Sequence, residues 1–81
     1  MRIILKHEVE RAKNGYLIRS PELHLASYGA TLDLAIRNLE RLATRYLSPF
    51  ERAGSLQVEI EESGLLVEPS DTLTVSLTNA D

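Results

Sequence analysis

Arg37, Arg41 and Arg45 recur at every fourth position, and His7 and His24 are the chain's two imidazoles. On a helix that arginine spacing stacks three guanidinium groups along one ridge, a surface suited to phosphate, RNA or an acidic protein. Arg52 extends the ridge if the helix runs that far. A solvated face opposite an apolar stripe produces the same pattern, and Asp33 stands where it would pair with Arg37. Base stacking needs aromatic rings, and only Tyr16, Tyr28, Tyr46 and Phe50 are present, so direct nucleic-acid binding is not expected. His7 and His24 would meet across neighbouring strands, but two imidazoles without a placed third ligand make a poor metal site. Glu59, Glu61 and Glu62 invite a divalent-cation or nuclease reading. They crowd one short segment, however, and no aspartate stands at the centre of a predicted strand. None of the serines has a base and an orienting acid in its sequence context, and no glycine-rich phosphate loop is present. No catalysis, cofactor or metal is therefore expected.

The charges are unevenly divided. Of the 81 residues, 1–54 hold all nine Lys and Arg against six acids, while 55–81 hold six acids and no base. The net charge of −3 thus hides a basic part of +3 and an acidic part of −6. With 43% hydrophobic residues and no cysteine, the chain suits one small domain spanning 1–81, without disulfides or thiolate metal sites. It lacks an apolar run of about 18 residues and a signal-peptide pattern, which predicts a cytoplasmic protein without a membrane partner.

Periodicity supplies the elements that would position these residues. Arg2–Val9 alternates, with Ile3, Leu5, His7 and Val9 on one face and Ile4, Lys6 and Glu8 on the other. Asn14-Gly15 predicts a turn through residues that tolerate positive φ, followed by a strand over Tyr16–Arg19. Pro21 ends that strand, and His24–Tyr28 predicts a third, closed by Gly29. Leu32, Ala35, Ile36, Leu39, Leu42, Ala43 and Tyr46 form an apolar stripe that predicts a helix from about Thr31, its cap, to Leu47. Ser48-Pro49-Phe50-Glu51 reads as a capping box that restarts the chain as a short second helix ending at Gly54. Residues 55–63 fit a strand or a helix; Ser55 as cap and Gly64 as stop favour a third helix. Thr72–Thr78 is a clean alternating strand with Leu73, Val75 and Leu77 inward. The expected order is β-β-β-α-α-α-β, a two-layer α+β domain with helices on one face of an antiparallel sheet. Ile4 and Leu17 then fall on the other face, where apolar residues and open sheet edges predict a homo-oligomer.

Gly15-Tyr16-Leu17-Ile18-Arg19-Ser20-Pro21-Glu22-Leu23, followed by Ser27-Tyr28-Gly29-Ala30-Thr31-Leu32-Asp33-Leu34-Ala35, resembles the HicB-like antitoxin family. The family shows a glycine and an aromatic opening strand 2, then Pro-Asp/Glu-Leu and a Gly-x-Thr before an amphipathic helix. Arg52-Ala53-Gly54-Ser55-Leu56 up to Ser63-Gly64-Leu65 resembles a second block in solitary members, so the likeness covers roughly residues 1–66. Two positions depart from the pattern: His24-Leu25-Ala26 replaces Pro-Gly-Cys, and Leu34 replaces the glutamate of the helix-start capping box. With the last predicted strand closing the sheet, the helix-turn-helix or ribbon-helix-helix domain of many members is not expected here.

The resemblance implies a HicB-like, partial ribonuclease H-like fold without the catalytic carboxylates. It further implies an antitoxin module of a type II toxin–antitoxin system, neutralising a small basic, mRNA-cleaving HicA-like toxin by protein–protein binding. Glu59, Glu61, Glu62, Glu68 and Asp71 are the expected contacts for such a basic partner. The alternative is a stand-alone homo-oligomer of structural or ligand-binding role, without a toxin.

Overall fold

A computed structural model describes residues 1–79. It is an α+β structure in which a five-stranded mixed sheet carries both helices on one face. The strands are β1 (Arg2–Ala12), β2 (Gly15–Ser20), β3 (Leu25–Gly29), β4 (Leu66–Glu68) and β5 (Thr74–Asn79). The helices are α1 (Leu32–Ala53) and α2 (Leu56–Ser63). No helix among the described residues is long and apolar enough to cross a membrane.

β1 is the hub. From Glu8 to Ala12 it pairs antiparallel with β2, which pairs antiparallel with β3. From Arg2 to Ile4 it pairs antiparallel with β4, and from Arg2 to His7 it pairs parallel with β5. The expectation of a wholly antiparallel sheet is thus corrected: the chain returns through two helices before β5, a connection long enough for a parallel crossover. A strand order with one closing strand also missed β4, whose three residues are too few to show alternation.

Glu22 fills the gap that β2 and β4 leave along β1. Its carboxylate accepts the backbone N–H of Lys6 at 2.7 Å, taking the place of a strand neighbour between Glu8 and Ile4. Pro21-Glu22-Leu23 is therefore a joint of the sheet as well as a strand stop: Leu23 is buried in the core one residue further on.

One apolar layer lies between sheet and helices. Ile3, Leu5, Leu23, Ala43, Leu47, Leu56, Ile60, Leu65 and Val75 form its larger cluster, and Ile18, Ala35 and Leu39 a smaller one. On α1 the buried ridge is Ala35, Leu39, Ala43 and Leu47; Leu32, Leu42 and Tyr46, expected in the same stripe, stand more than a third exposed on its flanks. Burying a leucine contributes about 1.5–3 kcal/mol, so Leu39 and Leu47 dominate the hold of α1 on the sheet.

α1 runs unbroken through Pro49 instead of restarting at a capping box. Pro49 cannot donate to the Arg45 carbonyl, and the Ser48 hydroxyl, which would have been the cap, donates instead to the Thr44 carbonyl at 2.7 Å. Leu47 before the proline and Phe50 after it both reach the same core, and that packing outweighs one lost ladder bond. Thr31 does cap α1, accepting from Leu34 N–H at 3.2 Å. Both helices end in left-handed glycines: Ser55 N–H donates to the Phe50 carbonyl after Gly54, and Leu65 N–H to the Ile60 carbonyl after Gly64. Residues 56–63 are helical as expected, although the Ser55 hydroxyl makes no cap bond.

The hairpin glycine has a different reason from the expected one. Lys13 and Asn14 form the β1–β2 loop, Ala12 pairs with Gly15, and neither Asn14 nor Gly15 adopts positive φ. A Cβ on Gly15 would press on the Gly29 carbonyl oxygen and stand 2.6 Å from the Tyr28 hydroxyl. Gly29 is likewise demanded by close approach, since its Cβ would lie 2.7 Å from the Ala35 Cα at the start of α1. The one non-glycine residue with positive φ among those described is His24, at 56°, in the turn before β3 and not in the strand.

Candidate interaction surfaces

α1 sets out the arginines as their spacing requires. Arg37, Arg41, Arg45 and Arg52 are all exposed and share the face opposite the Ala35–Leu39–Ala43–Leu47 ridge. Because α1 continues through Pro49, Arg52 falls two turns beyond Arg45 on that face. Arg37 is held by Asp33 at 3.0 Å, whereas Arg41, Arg45 and Arg52 make no ion pair among the described residues. The cations without an ion pair among the described residues therefore run from the middle of the helix to its end.

The five acids expected to meet a partner do not share one surface. Glu59 is half-buried on α2 and accepts from the Ser63 hydroxyl at 3.1 Å and the Tyr46 hydroxyl at 3.4 Å. Desolvation and, secondarily, the Glu59 carboxylate raise the Tyr46 hydroxyl above the ordinary tyrosine value. Glu61 and Glu62 are exposed, and Val58, 54% exposed, lies three and four residues before them on the same outward face. Glu68 lies instead on β4, facing away from the helices and bound to Arg2; Asp71 is exposed in the loop that follows. Of the five acids, only Glu61 and Glu62 share one outward face, that of α2, with Val58 beside them.

The helix-free face of the sheet carries Ile4 and Leu17, both half-buried, but not as one patch. Leu17 is paired opposite Glu10, so it stands six β1 positions, roughly 20 Å, from Ile4. Between them lie Lys6, Glu8, Glu10 and Arg19, with Arg19 bonded to Glu10 at 2.8 Å. Ile4 instead neighbours Leu66 of β4, and Leu17 neighbours Tyr28 of β3. Ile4 and Leu17 therefore lie in two separate apolar patches.

The histidines do not meet. His7 is buried beneath the helices with Nδ1 2.7 Å from the Thr78 carbonyl, and His24 is exposed in its turn. No group of three His, Cys, Asp or Glu among the described residues is arranged to hold a metal. Sequence reasoning passed over Ser20, whose hydroxyl is buried without a hydrogen-bond partner among the described residues; serine after a strand had no distinguishing signal. Compared with family models, curated proteins and solved structures, the chain matches none of them.

Proposed function

We propose that the chain is a protein-binding module of HicB-like antitoxin type that neutralises a small basic, mRNA-cleaving toxin by occupying its surface. The observation that carries this reading is the outward face of α2. Two exposed carboxylates, Glu61 and Glu62, flank the exposed apolar Val58; Glu61 accepts only from the Gln57 amide at 3.3 Å, and neither has an ion pair among the described residues. An apolar contact rimmed by unpaired acid suits a cationic protein, and the charge hastens association at low salt. The α+β layout is compatible with the resemblance carried by residues 15–35. His24 marks the departure: its φ of 56° is closed to the proline that the family pattern has there, so this turn is built differently.

Co-purification from the native host, with mass spectrometry of what is retained, tests this reading. The expected result is a small basic protein whose RNA cleavage stops on binding. Its affinity should fall steeply with added salt and in the E61K/E62K double variant. Recovery of no such protein, or a complex indifferent to both changes, removes the proposal. The second reading, a homo-oligomer without a toxin, draws on a separate feature, the outer edge of β5.

A further inference from the structure

Among the described residues the sheet has outer edges at β3, β4 and β5 and along Val9–Ala12 of β1, which β5 does not reach and which carries Glu10 and Arg11; they are not equally protected. The β4 edge is three residues long, ends in Glu68 and is followed by Pro69, all features that discourage a further strand. On β3, the backbone groups turned away from β2 are those of Ala26 and Tyr28, and the Asn38 side chain of α1 already donates to the Tyr28 carbonyl at 2.9 Å. β5 has neither device. It is Thr74-Val75-Ser76-Leu77-Thr78-Asn79, without a charge, a proline or a glycine, and among the described residues its strand partner is β1 alone.

The register identifies which groups are free. Thr74 N–H donates to the Met1 carbonyl at 3.0 Å, so Thr74, Ser76 and Thr78 turn their backbone groups toward β1. The N–H and C=O of Val75 and Leu77 therefore point outward. Among the described residues, β5 is thus the one edge that is long, uncharged and uncovered, and it presents a template for another strand. Its best complement is itself, because an antiparallel copy meets it under a twofold axis with no like charges opposed.

We propose that two copies of the chain join edge to edge through β5, antiparallel about a twofold axis at Ser76, merging two five-stranded sheets into one. In this register Val75 of each copy exchanges backbone hydrogen bonds with Leu77 of the other. The apolar pair Val75–Leu77 then continues the layer under the helices, while Thr74 faces Thr78 and Ser76 faces Ser76 on the helix-free side. The proposal does not depend on the antitoxin-like reading, since α2 and its acids lie outside this edge.

Sedimentation of the full chain over a wide concentration range tests it, together with two single substitutions. The wild type should be dimeric. S76D, which sets two carboxylates against each other on the axis, should weaken the dimer by about tenfold or more while circular dichroism remains native. The chain has no cysteine, so S76C reports the register directly. Opposed residues of a non-hydrogen-bonded pair have Cα atoms about 4.5 Å apart, within disulfide range. Mild oxidation should therefore cross-link S76C into a dimer, and A26C, on the β3 side, should not respond. A monomeric wild type, a dimer that S76D leaves intact, or an S76C chain that fails to cross-link would each overturn the proposal. If S76D does not fold, the cross-link still decides.

Discussion

The Tyr28 ring lies across Gly15 on the helix-free face, and its hydroxyl donates to the Asn14 carbonyl at 2.8 Å. β3 thereby reaches over β2 to clamp the β1–β2 turn, and the glycine leaves the space in which the ring sits. G15A should cost about 1–3 kcal/mol, the range for overpacking, and Y28F only about 0.5–1.5 kcal/mol, the worth of one hydrogen bond. In a double-mutant cycle, G15A and Y28A should combine less than additively in urea melts, because Y28A removes part of the clash.

The Glu22 carboxylate stands in for a strand at Lys6. E22A leaves that N–H without its protein partner and should destabilise by roughly 1–2 kcal/mol, as for a bond to a charged acceptor. Hydrogen exchange at the Lys6 amide should rise before that of its β1 neighbours. E22Q keeps an acceptor and should recover most of the loss.

Pro49 sits inside a helix that gains nothing local from it. P49A restores a donor for the Arg45 carbonyl and should stabilise the chain by about 1–3 kcal/mol, bounded by the helix-interior cost of proline. Thermal melts check this; a loss of stability would mean that the proline ring is needed for Phe50 to reach the core.

His24 holds a left-handed conformation without glycine's freedom. H24G should stabilise by about 0.5–1 kcal/mol, since relief of the Cβ strain exceeds the added chain entropy. H24P should fail to fold natively, because the proline ring forbids a φ of 56°.

Ser20 is buried, and its hydroxyl has no hydrogen-bond partner among the described residues. S20A removes a desolvated polar group at almost constant volume, so stability should hold or rise by about 1 kcal/mol.

The elements with strong periodicity were legible before their neighbours were known. The alternation of Ile3, Leu5 and His7, the spacing of Ala35, Leu39 and Ala43, and the Ser55-to-Gly64 frame all place residues where the structure has them. What remained hidden depended on distant parts of the chain. Pro49 and Ser48 present a sound local start signal, and only the core contacts of Leu47 and Phe50 override it. The direction of β5 follows from the crossover and not from its own alternation. The surfaces divide in the same way: Arg37, Arg41, Arg45 and Arg52 share a face by helical arithmetic alone. Glu68 leaves the acidic group because β4 pairs with β1 and turns it toward Arg2.

The pairing of β1 with β5 also governs the order in which the fold can assemble. β1, β2 and β3 meet through short turns and can form early, on the microsecond scale of hairpins. Joining β1 to β5 closes a loop from about residue 2 to residue 74, whose entropy must be met before its contacts reward it. The helices have packed only one side of that loop until β5 arrives, so the two ends of the described chain lock together last. Folding should accordingly be limited by a late, non-local step, and substitutions in β5 should speed unfolding more than they slow folding.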